Sequence, residues 1–114
     1  MRAYTDGQGR KILLLQGRGS GHRGDWGWLH IKGKHVEGHW SDGGRVTTYA
    51  EAMGASSDER VQEVIGQALQ QPASSDHGRW LYRYPVPDTR YEVLVVVGSD
   101  GTIITAYPRK IGRS

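Results

Sequence analysis

Apolar residues recur with helical spacing in one stretch near the middle of the chain. The i, i+3, i+4, i+7, i+8 pattern of an amphipathic helix is followed by Val61, Val64, Ile65, Ala68 and Leu69. Ser56 and Glu59 precede this pattern at the spacing of a capping box, and Pro72 follows it. The sequence therefore predicts a helix from about Asp58 to Gln70, with a charge-balanced polar face exposed to solvent.

Other apolar segments lack helical spacing and predict strands. The run Lys11 to Gln16 is consistent with a short buried strand, although periodicity alone does not separate it from a helix. Arg79 to Tyr84 is aromatic-rich and is followed by prolines that end a strand. Tyr91 to Val97 and Thr102 to Tyr107 flank Asp100-Gly101, a strong signal for a β-hairpin.

A second helix is predicted around a cluster of histidines. Asp25 is a suitable N-cap for a short helix from Trp26 to about His35. His30 would then lie on a face next to the one that carries His35. If the stretch is extended instead, these two histidines point to opposite sides, so we prefer the helix.

These elements predict an α+β fold in which N-terminal helices pack on a C-terminal antiparallel β-sheet in a single domain. Residues 1–24 are expected to be a flexible, basic lead-in with one short strand, and residues 25–114 to form the domain. The chain has 114 residues, of which 36% are hydrophobic and 17 are glycine. That length and composition allow one modest core.

Composition and charge narrow the class of protein. The formal net charge of +3 and the pI near 9.4 suit a nucleic-acid partner without establishing one. The absence of cysteine excludes disulfides and thiolate zinc sites. No apolar run is long enough for a secretory signal or a membrane span, so no membrane partner is expected. The glycine-rich segment Gly17 to Gly24 lacks the ending of a P-loop, which argues against nucleotide binding.

The stretch from Leu29 to His39 carries the candidate chemistry. It holds three of the five histidines together with Lys32 and Lys34. Imidazole exchanges protons near neutral pH, and the neighbouring lysines would stabilise negative charge on an anion. An acid, a base and cations are what cleavage of a phosphodiester by its own 2′-hydroxyl requires. The sequence therefore predicts a metal-independent endoribonuclease that leaves a 2′,3′-cyclic phosphate.

Three short motifs give the chain a resemblance to a known group. They are His30-Ile31-Lys-Gly-Lys-His35-Val36, then Arg45 followed by Thr47-Thr48-Tyr49, and finally Thr105-Ala106-Tyr107-Pro108 at the end of the predicted hairpin. From about Trp28 to Pro108 the chain resembles bacterial toxin ribonucleases of the Barnase–EndoU–colicin–RelE group. Within that group it is most similar to the RNase A-like and EndoU-like C-terminal toxin domains.

The resemblance implies a set of catalytic residues. His35 would be a catalytic acid or base, Arg45 the phosphate clamp, and His30 the second histidine. Thr105 and Tyr107 would complete the site from the last strand, where residues two apart share a face. The four side chains of His35, Arg45, Thr105 and Tyr107 are then expected to converge on one phosphate-sized space.

The resemblance also implies binding partners and a setting. Lys32, Lys34 and Arg109 are expected to bind the substrate, with no metal and no other cofactor. The expected partners are an RNA substrate such as tRNA and a cognate immunity protein. The domain would act as a monomer in the cytoplasm, after delivery as part of a secreted toxin.

Two alternatives from other classes stay open. Zinc can be bound by three histidines, here His30, His35 and His39, but their spacing matches no zinc signature. The chain could also be a non-catalytic RNA-binding or protein-interaction module. A chelator in a cleavage assay separates the first alternative from the ribonuclease, and a comparison of RNA cleavage with RNA retention separates the second.

Overall fold

A computed structural model of the protein describes residues 2–18, 26–32, 48–54 and 57–111. Within these ranges the chain forms two antiparallel sheets and three short helices. In chain order the elements are β1 (Arg2–Thr5), β2 (Lys11–Leu14), α1 (Gly27–Ile31), α2 (Tyr49–Met53), α3 (Asp58–Leu69), β3 (Ala73–Asp76), β4 (Arg79–Pro85), β5 (Tyr91–Val97) and β6 (Ile103–Lys110).

The larger sheet is a four-stranded meander in which neighbouring strands follow each other in sequence, in the order β3-β4-β5-β6. Inner strand β5 is apolar and buried from Val93 to Val97. The smaller sheet is the β1-β2 hairpin, which meets the larger one through a bridge between Leu13 and Thr102. The turn before β6 is thereby fixed against the first hairpin.

The core lies between one face of the larger sheet and the helices. Helix α3 packs on β4 and β5, whereas α1 and α2 pack mainly on β6. The interior joins residues of the helices, of β2 and of the sheet, among them Leu14, Ile31, Tyr49, Ile65, Leu69, Tyr82, Val95, Ile103 and Ala106. Burial of apolar surface on this scale supplies the main stabilisation of a small domain.

The predicted fold class, with N-terminal helices on a C-terminal sheet, is wrong. The described chain begins with a β-hairpin, and the three helices follow it in the sequence and precede the four-stranded sheet. More of the described residues lie in strands than in helices. Strand β1 was not predicted because apolar and polar residues do not alternate from Arg2 to Thr5. It forms because it pairs with β2 and because Tyr4 packs on α3, where its hydroxyl donates to the carbonyl oxygen of Gln62 at 2.8 Å.

Single elements were predicted more accurately than their arrangement. The helix predicted from Asp58 is confirmed as α3, but its N-cap is Ser57, whose hydroxyl accepts from the Arg60 amide at 3.2 Å. The Asp100-Gly101 hairpin is confirmed as β5-β6. Residues 73–76, for which no strand was predicted, form edge strand β3. The predicted N-cap Asp25 and the end of its helix lie outside the described residues, which show helix over Gly27–Ile31.

A buried ionic cluster joins the first hairpin to the sheet. Asp6 is only 4% exposed, and its carboxylate accepts from Tyr82 Oη at 2.7 Å and from Arg10 Nε at 2.8 Å. The amides of Gln8 and Arg10 donate to its other oxygen. The Arg10 guanidinium also lies 4.2 Å from the centre of the Trp80 ring. The cluster therefore holds the β1-β2 turn against β4.

The hydrogen bonds of this cluster set the charge of Asp6. Burial raises the pKa of the carboxyl, but the donors from Tyr82, Arg10 and Gln8 outweigh burial and bring the pKa down to about 2. Burial and the same hydrogen bond raise the pKa of Tyr82 to about 12. Asp6 is therefore a charged acceptor, and Tyr82 a neutral donor, over the physiological range.

We expect the stability of the protein to fall steeply in acid because of Asp6. The pKa of Asp6 is lower in the folded chain than in the unfolded one. The charged carboxylate therefore stabilises the folded state fully at any pH above the pKa of Asp6 in the unfolded chain. That stabilisation is lost as the pH falls from about 4 towards 2. Urea unfolding at pH 6, 4, 3 and 2 measures the loss. Asp6→Asn should show a shallower decline over this range, and equal declines would contradict the assignment.

Candidate functional site

The larger sheet has a second face that points away from the helices. Along β5, Val93, Val95 and Val97 enter the core, so the alternating residues Leu94 and Val96 lie on the opposite face. A groove of about 390 Å³ runs over this face. Its lining residues, which we call the arginine face, are Ser74, Arg79, Leu81, Arg83, Leu94, Val96, Tyr107 and Arg109.

The strand register explains why these residues meet. Leu94 is paired with Arg83 on one side and with Tyr107 on the other. Val96 is paired with Leu81, which in turn is paired with Ser74. Directly opposite residues of antiparallel strands share a face, so these two neighbouring rows bring together side chains that are distant in sequence. The result is an apolar floor with arginines above it.

Glu92 orients two of the three arginines. Its carboxylate is almost buried and accepts from Arg109 Nε at 2.8 Å, with Arg83 Nη2 at 3.6 Å. Each guanidinium has five N–H donors, so these contacts fix its direction and leave other donors for a ligand. Among the described side chains of this face, the three arginines Arg79, Arg83 and Arg109 carry more charge than the single carboxylate of Glu92. The groove is therefore positively charged and suits a polyanionic ligand.

Tyr107 and Thr105 lie on the same side of β6, as their spacing predicts, but their surroundings differ. Tyr107 lines the groove. Thr105 is paired with Val96, and its hydroxyl oxygen is buried without a hydrogen-bond partner among the described residues. A register shift between Val96 and Val97 makes Ile103 rather than Ile104 the partner of Val97. A ligand in the groove can therefore reach Tyr107 but not the Thr105 hydroxyl.

The other predicted site residues that are described lie in two places. Arg109 belongs to the arginine face. His30 is in the last turn of α1, next to Ile31, which enters the core on the helix side of the sheet. Lys32 follows this helix, and its Nζ lies 3.2 Å from a carboxylate oxygen of Asp58 at the start of α3. Neither His30 nor Lys32 lines the groove of the arginine face.

The remaining site residues, His35, Arg45 and Lys34, lie outside the described residues, as does His39 of the zinc alternative. The convergence of His35 and Arg45 with Thr105 and Tyr107 therefore stays a prediction. Within the described ranges, no three histidine, aspartate or glutamate side chains lie together in a way that could hold a metal ion. No helix in the same ranges is long and apolar enough to cross a membrane.

Two residues of the groove, Arg79 and Arg83, were not predicted from the sequence to be site residues. The signal was present, because residues four apart in a strand lie on the same face. In Arg79-Trp80-Leu81-Tyr82-Arg83 the aromatic residues on the alternate positions indicate the core side. What the sequence alone did not provide was the register that places these arginines beside Arg109.

The exposed side of α3 provides a contrast. It carries Glu59, Arg60 and Glu63, and Arg60 pairs with Glu63 at 3.4 Å. This surface has no excess of positive charge. Among the described surfaces, the arginine face is the better match for a nucleic-acid backbone.

Comparison with known proteins does not identify the chain. No family model matches the sequence, and no curated protein matches it significantly.

Proposed function

We propose that the protein is a metal-independent endoribonuclease that holds the RNA backbone on the arginine face. The observation that carries the proposal is the groove on the sheet, where Arg79, Arg83, Arg109 and Tyr107 come together over an apolar floor. One guanidinium group can donate hydrogen bonds to two phosphate oxygens at once, and a tyrosine can stack on a base. The two kinds of side chain match the two parts of a single-stranded RNA.

The chemistry assigns a task to each group. A base removes the proton of a 2′-hydroxyl, whose oxygen attacks the neighbouring phosphorus. An acid then protonates the departing 5′-oxygen, which leaves a 2′,3′-cyclic phosphate. Arginines stabilise the charge that develops on the non-bridging oxygens. His35 remains our candidate for acid or base, and Arg45 for a further phosphate ligand, on the strength of the sequence motifs.

The helix that precedes the histidine segment packs on a strand that supplies part of the groove. Helix α1, which leads into the segment, packs on β6, and β6 carries both Tyr107 and Arg109. His35 follows Lys32 by three residues. The segment that holds the candidate acid and base therefore starts beside the strand that supplies two groove residues.

A second candidate function is a non-catalytic RNA-binding module. The observation in its favour is that His30, in α1, and Lys32, which follows it, do not line the groove of the arginine face. Such a module would bind RNA through the same groove without cutting it. The two candidates therefore differ only in whether bound RNA is cleaved.

We extend the proposal to the biological setting. A ribonuclease of this kind would act as a bacterial toxin domain on cytoplasmic RNA such as tRNA, and a cognate immunity protein would protect the producing cell. These proposals rest on the resemblance of the sequence motifs to toxin ribonucleases.

We expect the purified chain to cut RNA in the presence of EDTA and to leave DNA intact. The test uses three oligonucleotides of one sequence: all-ribose, all-deoxyribose, and deoxyribose with a single ribose. Only a linkage that follows a ribose should be cut, because its 2′-hydroxyl is the nucleophile. Mass spectrometry should find the cyclic phosphate on the 5′ product. Cleavage of the all-deoxyribose strand, or dependence on a metal ion, would contradict the proposal, and tight binding without cleavage would favour the module.

Arg83→Ala is expected to weaken RNA binding in a salt-dependent way. For single strands the slope of log K against log salt changes by about 0.7 for each phosphate that the protein no longer neutralises. Titrations of a 2′-O-methyl RNA between 50 and 300 mM KCl measure the slope, since this RNA cannot be cut. Arg60→Ala on α3 removes the same charge from an exposed pair and serves as the control. Equal slopes for the two variants would show that the groove does not hold the backbone.

A further inference from the structure

A second cavity, of about 660 Å³, opens where two turns of the larger sheet meet the start of α1. We call it the turn cavity. The β3-β4 turn contributes His77 and the β5-β6 turn contributes Asp100. Apolar walls come from Leu15, Trp26 and Ile104. A volume of this order suits a small ligand with an aromatic ring.

The walls of the turn cavity are held in place by the backbone. Trp26 and Arg18 exchange two amide–carbonyl hydrogen bonds, at 2.8 and 3.0 Å. This pairing requires Gly17, because a Cβ there would lie 2.0 Å from the carbonyl oxygen of Trp26. The other wall is fixed by the Leu13 amide, which donates to the Gly101 carbonyl oxygen at 2.8 Å. The cavity is therefore largely formed before any ligand enters.

Asp100 gives the turn cavity a defined polar group. Its Oδ1 accepts from the Thr102 amide at 3.0 Å, which fixes the carboxylate at the turn. Oδ2 has no hydrogen bond within the described part of the chain, and it can only accept. A ligand that fits must therefore present N–H or O–H donors on the edge of a ring that packs against Trp26.

Arg79 connects the turn cavity to the arginine face, because it lines both. A phosphate held by Arg79 would have the groove on one side and the turn cavity on the other. In a nucleotide the base lies about one sugar away from its phosphate. The two cavities thus match neighbouring parts of one RNA strand.

From this juxtaposition we propose that the turn cavity is a base subsite that selects bases with an exocyclic amino group over uracil. An amino group donates to a carboxylate, as in recognition of cytosine by aspartate or glutamate. Uracil offers one N–H between two carbonyl oxygens, and those oxygens would face the Asp100 carboxylate unfavourably. The proposal deepens the proposed function and rests on it for the role of the phosphate at Arg79.

The experiment uses cytidine and uridine 5′-monophosphates with the intact chain, so that no cleavage is needed. Amide shifts in a ¹H–¹⁵N NMR spectrum report binding at residues 98–102 and at the Trp26 indole. We expect cytidine monophosphate to bind about tenfold more tightly than uridine monophosphate, as one good base contact provides. Asp100→Asn keeps an oxygen for the Thr102 amide and should reduce the ratio to within about twofold, because an amide also donates.

Asp88→Asn is the matched control, since Asp88 is an exposed turn residue between β4 and β5 at the other end of the sheet. It should keep the tenfold ratio. Equal binding of the two nucleotides, shifts confined to other surfaces, or an unchanged ratio in Asp100→Asn would each overturn the subsite. If the protein prefers cytidine monophosphate but cuts no RNA, the base subsite is supported and the proposed ribonuclease activity is wrong. If it cuts RNA but binds both nucleotides equally, the ribonuclease activity is supported and the base subsite is wrong.

Discussion

Replacing His35 by alanine is expected to lower the rate of RNA cleavage by about 10²–10⁴-fold, the usual contribution of a general acid or base. The expectation follows from the proposed mechanism, in which His35 moves a proton to or from the reacting ribose. Single-turnover cleavage of a fluorescent RNA measures the rate, and thermal unfolding of the same sample measures stability. The RNA affinity should change little, because the arginines provide the binding.

His39→Ala is the matched control for this prediction. It removes an imidazole from the same segment, four residues further along the chain. We expect it to keep the rate of the unmodified protein. If His35→Ala kept its rate and unfolded at a lower temperature, His35 would be structural and the proposed chemistry would lose its acid or base.

The second large effect is expected at Asp6. Asp6→Ala should lower the free energy of unfolding by about 3 kcal/mol, since removal of one partner from a buried ion pair typically costs about 3–5 kcal/mol. We expect a loss at the lower limit of this range because the Arg10 side chain is 32% exposed, so water can solvate it once Asp6 is removed. The Tyr82 hydroxyl, however, would remain buried without its acceptor. Urea unfolding monitored by tryptophan fluorescence provides the measurement.

Glu63→Ala on α3 tests whether any acidic residue would have the same effect. Glu63 belongs to an exposed pair with Arg60, and such pairs contribute at most about 1 kcal/mol. A loss at Asp6 no larger than that at Glu63 would contradict the role of the buried cluster. Asp6→Ala should still cut RNA at temperatures where it is folded, because the cluster lies on the core side of β4 and away from the arginine face.

The sequence predicted best those elements whose signals are local. Helix α3 has a complete apolar period, and the β5-β6 hairpin has an Asp-Gly turn between two apolar runs. Edge strands β1 and β3 were missed because Arg2 to Thr5 and Ala73 to Asp76 have little apolar character. They become strands only by pairing with a neighbour, and this is a tertiary effect that propensity does not contain. The fold class was wrong for this reason.

The residues of the candidate site were predicted from the sequence only in part. The resemblance of the sequence motifs implied Tyr107 and Arg109 as site residues, and both lie on β6. Arg79 and Arg83 join them only through the pairing of β4 with β5 and of β5 with β6, so no local pattern identified the arginine face. Glu92 lies within an apolar run, yet its role emerges only when two arginines from neighbouring strands meet it.

An NMR footprint shows whether RNA lies across the arginine face. A 2′-O-methyl RNA hexamer would be titrated into ¹⁵N-labelled protein, so that binding is seen whether or not the chain cuts RNA. We predict that the largest amide shifts occur on β4, β5 and β6 at Leu81, Arg83, Leu94, Tyr107 and Arg109, and that Arg83→Ala reduces them. Shifts that cluster instead on the exposed side of α3, at Glu59, Arg60 and Glu63, would show that RNA does not bind on the arginine face.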